Sequence, residues 1–280
     1  MLTAMTVARH GLGIDVGGTG VKAGVVDLET GRLVGARIRV RTPVPATPGS
    51  VAEVIGQIVH RLAEGVELPP DLPVGCGLPG VVLDRQLVTA VNIGPGWSDE
   101  PAGDVIGAAI GRRVHAINDA DAAGMAEMAF GAGRGQHGSV LMLTVGTGIG
   151  SALFRRGVLY PNTELGHLRM SGRAAETRLS GAARTRRKLK WRDWAEEFNV
   201  YLGRLEAYLW PDLIILGGGV SKAFAEFSDR LRTRAPIVPA HFQNASGIIG
   251  AAMHAAEMES YQAPVPTAPE LAEAVAGDGR

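Results

Sequence analysis

Two glycine-rich segments carry residue types suited to binding phosphate. The first reads Gly-Ile-Asp-Val-Gly-Gly-Thr-Gly over residues 13–20, and the second reads Thr-Val-Gly-Thr-Gly-Ile-Gly over residues 144–150. Glycine permits positive φ and lets an anion approach bare backbone N–H groups, while the threonines add hydroxyl donors. Asp15 places a carboxylate where a magnesium-bound phosphate would need one. Two such turns facing one cleft would hold a phosphoryl donor from both sides, which predicts a kinase.

Each segment taken alone also fits an ordinary β-hairpin with a glycine-rich loop. Short glycine patterns recur by chance, so the phosphate-binding interpretation depends on two segments sharing one pattern. Neither segment matches another phosphate loop, because the chain has no Gly-x-x-x-x-Gly-Lys-Ser/Thr run. Neither opens a helix, as a dinucleotide-binding fingerprint does.

A second group of polar residues lies where a strand is predicted to end and a helix to begin. The sequence there is Ile-Asn-Asp-Ala-Asp, residues 117–121. Helix capping explains one such side chain, since Asn and Asp are favoured N-caps and further acids complement the helix dipole. Asp119 could instead accept a proton from a substrate hydroxyl while Asn118 hydrogen-bonds a neighbouring hydroxyl. Phosphoryl transfer asks little more of its base than this.

Glu164 and His167 form a third candidate cluster. The flanking Pro161, Asn162 and Gly166 predict a loop. A carboxylate and an imidazole can grip vicinal sugar hydroxyls as acceptor and donor, and the alternative is a surface loop with an exposed histidine. No second His or Cys lies at ligand spacing, which argues against a metal at His167.

The elements that position these residues follow an α/β pattern that occurs twice. Strands are predicted at about residues 12–16, 21–28, 33–40, 74–77, 81–83, 114–117, 140–145, 149–154 and 213–216. Helices are predicted at about residues 50–64 with Ser50 as the cap, 103–110, 118–130, 191–209, 217–231 and 245–258. Three antiparallel strands followed by alternating strands and helices, twice over, predict duplicated α/β lobes around a cleft.

Composition narrows the classes of function. Of the 280 residues, 46% are hydrophobic and 20% are charged, and the formal net charge is zero, so no global field favours nucleic acid or an anionic membrane. The single cysteine, Cys76, excludes an internal disulfide and a cysteine-based zinc site. No apolar run reaches membrane-spanning length, and there is no signal-peptide core. We therefore expect a soluble, cytoplasmic protein.

Together these segments resemble the ROK sugar-kinase family over nearly the whole chain, up to about Met258. Within that family the chain is most similar to the actinobacterial polyphosphate glucokinases. The resemblance rests on segments 13–22, 78–80, 118–124, 143–151, 161–168, 210–212 and 217–221, with Asn92 and Trp97. It implies an α/β, two-lobed actin-like, ribonuclease-H-like ATPase fold with a cleft between a small and a large domain.

The resemblance also implies domain limits and a reaction. The small lobe would span residues 11–118, with the helix 245–258 packed back on it, and the large lobe residues 119–244. The tail 261–280 is expected to be disordered. The implied reaction is phosphoryl transfer to the 6-hydroxyl of glucose, with Mg²⁺, from polyphosphate and also from ATP, by a homodimer.

Individual residues take roles from the same resemblance. Asp119 matches the base that activates the sugar hydroxyl, and Asp15 lies near magnesium, through water or phosphate. Sugar contacts are implied for Asn92, Asn118, Glu164, His167 and Glu176. Phosphate or nucleotide contacts are implied for Asp15, Gly17, Gly18, Thr19, Lys22, Thr144, Gly146, Thr147, Gly148, Gly217, Gly218 and Gly219.

One segment departs from the family pattern. Many members follow the Gly-His pair with a cysteine-rich zinc loop, but residues 167–180 contain no cysteine, which excludes zinc here. The segment 175–181 still resembles the end of that loop, which makes Glu176 a candidate sugar contact. A glutamate that simply begins a helix is the alternative.

A basic tract, residues 184–192, has six cationic residues in nine. A linear polyanion is bound by distributed charge, so we hypothesise that this tract guides polyphosphate toward the glycine turns. The residues concerned are Arg184, Arg186, Arg187, Lys188 and Lys190. The alternative is a solvated start of the long helix, which is the usual meaning of a charge run.

Three rival functions share parts of this pattern. An ATP-only glucokinase or mannokinase would keep every site residue and differ in donor or sugar. A sugar-sensing repressor needs an N-terminal helix-turn-helix, and only about ten residues precede the first predicted strand. A non-catalytic sugar-binding module would be expected to lack the base, whereas Asp119 is present.

Overall fold

The computed structural model describes residues 9–90, 93–94 and 96–261. Its strands are β1 (His10–Gly17), β2 (Gly20–Asp27), β3 (Arg32–Val40), β4 (Val74–Leu78), β5 (Val82–Leu83), β6 (Gln86–Leu87), β7 (His115–Asn118), β8 (Ser139–Val145), β9 (Ile149–Arg155), β10 (Val158–Tyr160), β11 (Arg169–Met170), β12 (Arg173–Ala174), β13 (Leu213–Gly217) and β14 (Ile237–Pro239). Its α-helices are α1 (Pro48–Ala63), α2 (Ala102–Ile110), α3 (Asp119–Phe130), α4 (Glu176–Leu179), α5 (Gly181–Arg187), α6 (Trp191–Leu209) and α7 (Ser246–Ser260). Short 3₁₀ helices occupy Leu165–His167, Gly219–Glu226, Ser228–Arg230 and Gln243–Ala245.

Two five-stranded sheets share one topology. The first has the order β3-β2-β1-β4-β7 and the second the order β10-β9-β8-β13-β14. In each sheet the first three strands form an antiparallel meander, and the remaining two extend it by parallel pairing. Antiparallel neighbours need only tight turns, whereas parallel neighbours need long crossovers, which are the helical segments between them. The predicted α/β fold with a repeated strand pattern is confirmed.

Each sheet has its own apolar core. In the first, Leu12 and Ile14 of β1 are fully buried and pack in one cluster with Ile55 and Ile58 of α1. In the second, α6 places Trp194 and Phe198 one helical turn apart, with their rings stacked at 4.4 Å between centroids. Residues spaced by three or four share one helix face, so each amphipathic helix closes one core.

Helix α7 packs against β1, β4 and α3, and its backbone comes close to theirs. A Cβ atom on Gly13 would lie 1.8 Å from the carbonyl oxygen of Ile248, and one on Gly75 would lie 1.8 Å from that of Ala251. On the other face, a Cβ on Gly250 would lie 1.6 Å from the carbonyl oxygen of Ala122. Glycine at these positions is what lets the C-terminal helix pack this closely. Because α3 contacts strands of both sheets, the division of lobes at residue 118 stays a prediction.

Some predicted elements differ from the observed ones. Helix α1 begins at Pro48 with Thr47 as N-cap, and Ser50 instead completes a capping box by accepting from the Thr47 N–H at 3.0 Å. The helix predicted over residues 217–231 is wrong, because Gly217 ends β13 and two 3₁₀ helices follow it, with non-helical backbone at Ala223.

Two further features bear on the sequence predictions. The basic tract, residues 184–192, covers the end of α5, the link that follows it and the first two residues of α6. No helix in the described ranges has both the length and the apolar character needed to cross a bilayer. All of the tail 261–280 except Tyr261 lies outside the described residues.

Candidate active site

The first glycine turn joins β1 to β2 and carries an ion pair. Asp15 and Lys22 are partners across the hairpin, and Lys22 Nζ lies 2.5 Å from Asp15 Oδ2. The Asp15 side chain also packs on α7, since a Cβ on Gly247 would lie 2.9 Å from its carboxylate carbon. Gly18 and Thr19 at the tip are exposed, which leaves this end of the hairpin accessible to an anion.

The second glycine turn joins β8 to β9 and is braced from two sides. Gly146 donates its N–H to the carbonyl of Gly148 at 2.9 Å, and the Gly146 carbonyl accepts from the Ala182 N–H in α5 at 3.1 Å. Gly218 packs directly on this hairpin, because a Cβ there would lie 2.5 Å from the carbonyl oxygen of Val145. Gly218 and Gly219 therefore lie beside the second turn.

The glycines of the two turns do not adopt positive φ. Gly17, Gly18, Gly146 and Gly148 are all absent from the left-handed region, whereas Gly218 has a φ of +75°. The two hairpins therefore close with ordinary backbone angles. Positive φ, which glycine adopts most easily, is needed instead at Gly218, where the segment 217–219 packs on the second turn.

Asn118 and Asp119 lie where β7 passes directly into α3. Asn118 Oδ1 accepts from the backbone N–H groups of Ala120 and Asp121 at 2.9 and 3.0 Å, so Asn118 is the N-cap. Both of these cap hydrogen bonds go to Asn118 and not to Asp119. Burial raises the pKa of Asp119 to about 7, and the nearby carboxylates of Asp15 and Glu164 add to the effect. A carboxyl group tuned to neutral pH is suited to general-base chemistry.

A chain of polar side chains leads away from Asn118. Its Nδ2 donates to the Gly80 carbonyl at 2.9 Å and to Glu164 Oε1 at 3.3 Å. Glu164 Oε2 lies 3.5 Å from His167 Nδ1, and His167 Nε2 lies 3.7 Å from Glu176 Oε1. The imidazole thus stands between two carboxylates, and burial raises the pKa of Glu164 while His167 opposes that rise. Such alternating acceptors and donors match the hydroxyl groups of a sugar.

Glu176 begins a helix and also belongs to the polar cluster with His167. It is the first residue of α4, and its Oε2 accepts from the Ile149 N–H at 3.1 Å. Its other oxygen faces His167 in the cleft. The helix start and the polar cluster are therefore the same place in the fold, and the two alternatives do not compete.

One cavity of about 730 Å³ brings most of the predicted site residues together. Those lining it are Asp15, Gly17, Gly18, Thr19, Lys22, Asn118, Asp119, Thr144, Gly146, Thr147, Gly148, Glu164, His167, Glu176, Gly218 and Gly219. Gly217 ends β13 and is not among the lining residues. Asn92 lies outside the described residues. The roles of these residues stay predictions.

The basic tract lies elsewhere and is largely engaged in local contacts. Arg187 forms two hydrogen bonds with the Glu197 carboxylate, at 2.6 and 2.8 Å, and the Arg184 guanidinium lies 3.5 Å above the Trp191 ring. Arg186 donates to the Thr177 carbonyl at 3.1 Å. None of the five tract residues lines the cavity.

Sequence reasoning missed several residues that line the same cavity. These are chiefly Arg37, Arg39, Thr89, Lys222, Gln243, Asn244, Ser246 and Gly247. Arg37 and Arg39 were open to detection, because charged residues two apart on a strand share one face. That pattern is also typical of any solvated strand face. Only the position of β3 in the fold shows that these two arginines line the cavity.

Comparison with known proteins agrees with this arrangement. The ROK family model matches residues 11–183. A polyphosphate glucokinase of Mycobacterium tuberculosis is 45% identical over 250 residues, which is 89% of this chain and 92% of that protein. The crystal structure of an inorganic polyphosphate/ATP-glucomannokinase from Arthrobacter sp. strain KM superposes with a TM-score of 0.87 at 45% identity, covering 90% of this chain and all of that one.

A more distant structure has ligands in its site. It is a ROK family glucokinase from Streptomyces griseus in complex with glucose and AMPPNP, with a TM-score of 0.76 at 26% identity and coverage of 89% of this chain and 99% of that one. The family model spans more than half of the chain, and the mycobacterial relative matches nearly its whole length. With the cavity, the two glycine turns and the Asp119 carboxylate in place, this chain belongs to the ROK family.

Proposed function

We propose that this protein transfers a phosphoryl group from inorganic polyphosphate, and also from ATP, to the 6-hydroxyl of glucose. The observation that carries the proposal is the placement of Asp119 in one cavity with both glycine turns and with the Glu164–His167–Glu176 cluster. The donor is supported by the two relatives at 45% identity, a polyphosphate glucokinase and a polyphosphate/ATP-glucomannokinase.

The chemistry needs a proton acceptor and a firm hold on both substrates. Glu164, His167 and Glu176 orient the sugar, with Asn118 beside them, and the two turns hold the donor phosphates through backbone N–H groups. Asp119 accepts the proton of the 6-hydroxyl as that oxygen bonds to phosphorus, and the bond from phosphorus to the bridging oxygen of the donor breaks. The products are glucose 6-phosphate and either ADP or a polyphosphate shorter by one phosphate.

Magnesium fits Asp15. Kinases hold Mg²⁺ by one or two carboxylates together with substrate phosphates and water. Asp15 offers one buried carboxylate beside the first turn, and no group of three or more His, Cys, Asp or Glu side chains suited to a metal occurs in the described part of the chain. Bound through water or phosphate, magnesium would neutralise charge on the donor. The homodimer is implied by the family resemblance, and the cytoplasmic location and the absence of zinc are expectations from the sequence.

The assay that tests the proposal compares donors directly. Glucose 6-phosphate formation is measured with magnesium and glucose, using ATP and long-chain polyphosphate in parallel and mannose as a second sugar. We expect turnover with both donors. Turnover with ATP alone would make this protein an ATP-dependent glucokinase. Turnover with mannose alone would make mannose, and not glucose, the substrate. No turnover with either donor and either sugar would overturn the proposal.

The activity is expected to rise with pH. Asp119 has a raised pKa of about 7, so its base form is scarce below that pH and dominant above it. We therefore expect log kcat/KM for glucose to increase with a slope near one up to about pH 7 and to level off above it. Burial also raises the pKa of Asp121 to about 7, so the profile is repeated on Asp121→Asn. The step should persist in that variant, and its disappearance would assign it to Asp121.

Glu164→Gln is expected to weaken glucose binding. The substitution keeps the size of the side chain but removes the charge that Asn118 and His167 face. Hydrogen bonds to charged groups contribute about 1.5–3 kcal/mol, so KM for glucose should rise about 10- to 100-fold. The exposed Glu226, outside the cavity, supplies the control Glu226→Gln. A wild-type KM in Glu164→Gln would remove Glu164 from the sugar site.

A further inference from the structure

Three cationic side chains line the cavity without a carboxylate partner among the described residues. Arg37 and Arg39 come from β3, and Lys222 comes from the 3₁₀ helix that follows Gly219. None of the three is within ion-pair distance of an Asp or Glu in those residues, whereas Lys22 in the same cavity is paired with Asp15. This part of the cavity therefore has positive charge left for a ligand.

The two arginines adjoin the first glycine turn. Arg39 Nη2 donates to the Thr19 carbonyl at 3.2 Å, and a Cβ on Gly20 would lie 2.7 Å from Arg39 Nε. Arg37 Nη1 donates to the Asn244 carbonyl at 3.4 Å. Both side chains are exposed, so the neutral carbonyls occupy only part of each guanidinium.

These three cations lie beside different residues from those on the sugar-binding side of the cavity. Asn118, Glu164, His167 and Glu176 contact one another, while the arginines contact the first turn and the segment that carries Asn244. Lys222 follows Gly218 and Gly219, which lie beside the second turn. Positive charge thus adjoins the donor-binding turns.

The two donors, ATP and polyphosphate, differ in how their negative charge is distributed. ATP concentrates its charge near the reacting phosphate and continues as a neutral nucleoside, whereas polyphosphate carries charge on every phosphate. Arginine suits such a ligand, because its planar guanidinium can bind two phosphate oxygens at once. Unpaired cations next to the turns match a donor that is still anionic beyond the phosphate being transferred.

We propose that Arg37, Arg39 and Lys222 bind the phosphates of polyphosphate beyond the one transferred. This inference rests on the proposed function, specifically on polyphosphate as a donor. It places the distal donor site at β3 and the 3₁₀ helix rather than at the basic tract, where Arg187 is paired with Glu197 and no residue lines the cavity.

The test compares two double variants and one single control variant, each assayed with both donors. Arg37→Gln/Arg39→Gln removes the β3 charges, and Arg186→Gln/Lys188→Gln removes exposed charges from the tract. Arg32→Gln is the matched control, since Arg32 is an exposed arginine of β3 that does not line the cavity. Each variant is first checked for wild-type thermal unfolding, and KM is then measured for long-chain polyphosphate and for ATP over a range of salt concentration.

We expect the β3 variant to raise KM for polyphosphate at least about 10-fold, and to raise KM for ATP by a clearly smaller factor. The slope of log KM against log salt should fall by about 1.4, from ~0.7 for each of two lost phosphate contacts. The tract variant should shift KM for polyphosphate less than the β3 variant does. A fourth variant, Lys222→Gln, should also raise KM for polyphosphate more than KM for ATP.

The outcomes separate the inference from the proposed function. A wild-type enzyme that uses ATP but not polyphosphate would refute the polyphosphate donor and this inference with it. A wild-type enzyme that uses polyphosphate, with an unchanged KM in the β3 variant, would refute the inference alone. Equal increases of KM for both donors, or a larger loss in the tract variant, would refute it as well.

Discussion

Asp119→Asn is expected to lower kcat by about 10²- to 10⁴-fold while glucose still binds. The amide cannot accept the proton of the 6-hydroxyl, yet it has the same shape as the carboxylate. Asn118 rather than Asp119 caps α3, so the helix keeps its N-terminal hydrogen bonds in the variant. The substitution also removes a carboxyl group whose ionisation is opposed by burial, so the folded state should not lose stability at neutral pH.

Two measurements check this prediction. Turnover is followed under saturating glucose and donor, and glucose binding is measured by calorimetry without donor. Asp121→Asn is the matched control, because Asp121 lies in the same helix and its Oδ2 accepts from the Asn162 N–H at 2.7 Å. That variant should lose far less turnover. Turnover in Asp119→Asn within a few-fold of wild type would show that Asp119 is not the base.

Gly250→Ala is expected to destabilise the protein by at least about 3 kcal/mol or to prevent folding, at the upper end of overpacking costs. The added Cβ would lie 1.6 Å from the carbonyl oxygen of Ala122 and 2.4 Å from its carbon. Both atoms are backbone atoms of α3, so no side chain can rotate away, and the two helices would have to separate. Helix α7 also contacts β1, β4 and the Asp15 side chain, so the first sheet and the part of the cavity that Asp15 lines would be disturbed together.

Gly203→Ala is the control for helix propensity. Gly203 lies in α6, is exposed, and has no atom within 4 Å of an added Cβ. Alanine is favoured over glycine in a helix, so this variant should be more stable by about 0.5–1 kcal/mol. Urea unfolding of both variants measures the difference. An unchanged midpoint in Gly250→Ala would mean that α7 does not pack on α3 as closely as described.

The glycine turns were predictable because hairpins depend on neighbouring residues. In the first, Gly17 pairs with Gly20 around a two-residue tip, and in the second, Val145 pairs with Ile149. Apolar strands on both sides and glycine at the tip suffice to predict each hairpin. The same is true of Asn118, since a strand followed by Asn-Asp and an alanine-rich segment is a local signal for a helix start.

The region after Gly217 was mispredicted for a reason outside its own sequence. An apolar pattern following glycines is compatible with an α-helix and with 3₁₀ turns alike. Gly218 is held at positive φ against Val145 of a distant strand, and this contact sets the direction in which the next segment begins.

The sequence by itself determined which residue types are available for proton transfer, for hydrogen bonds to a sugar and for phosphate binding, and it determined the local turns and caps that carry them. Tertiary structure alone decided which basic segment adjoins the cavity. Both β3 and the basic tract are rich in arginine, and composition cannot rank them. Pairing with β2 brings Arg39 to the first turn, whereas Glu197 and Trp191 hold the tract against α6. Contacts between residues far apart in the chain decide which basic segment lies at the cavity. Local sequence cannot show this, because the effect of a charge depends on its distance from the ligand in the folded protein.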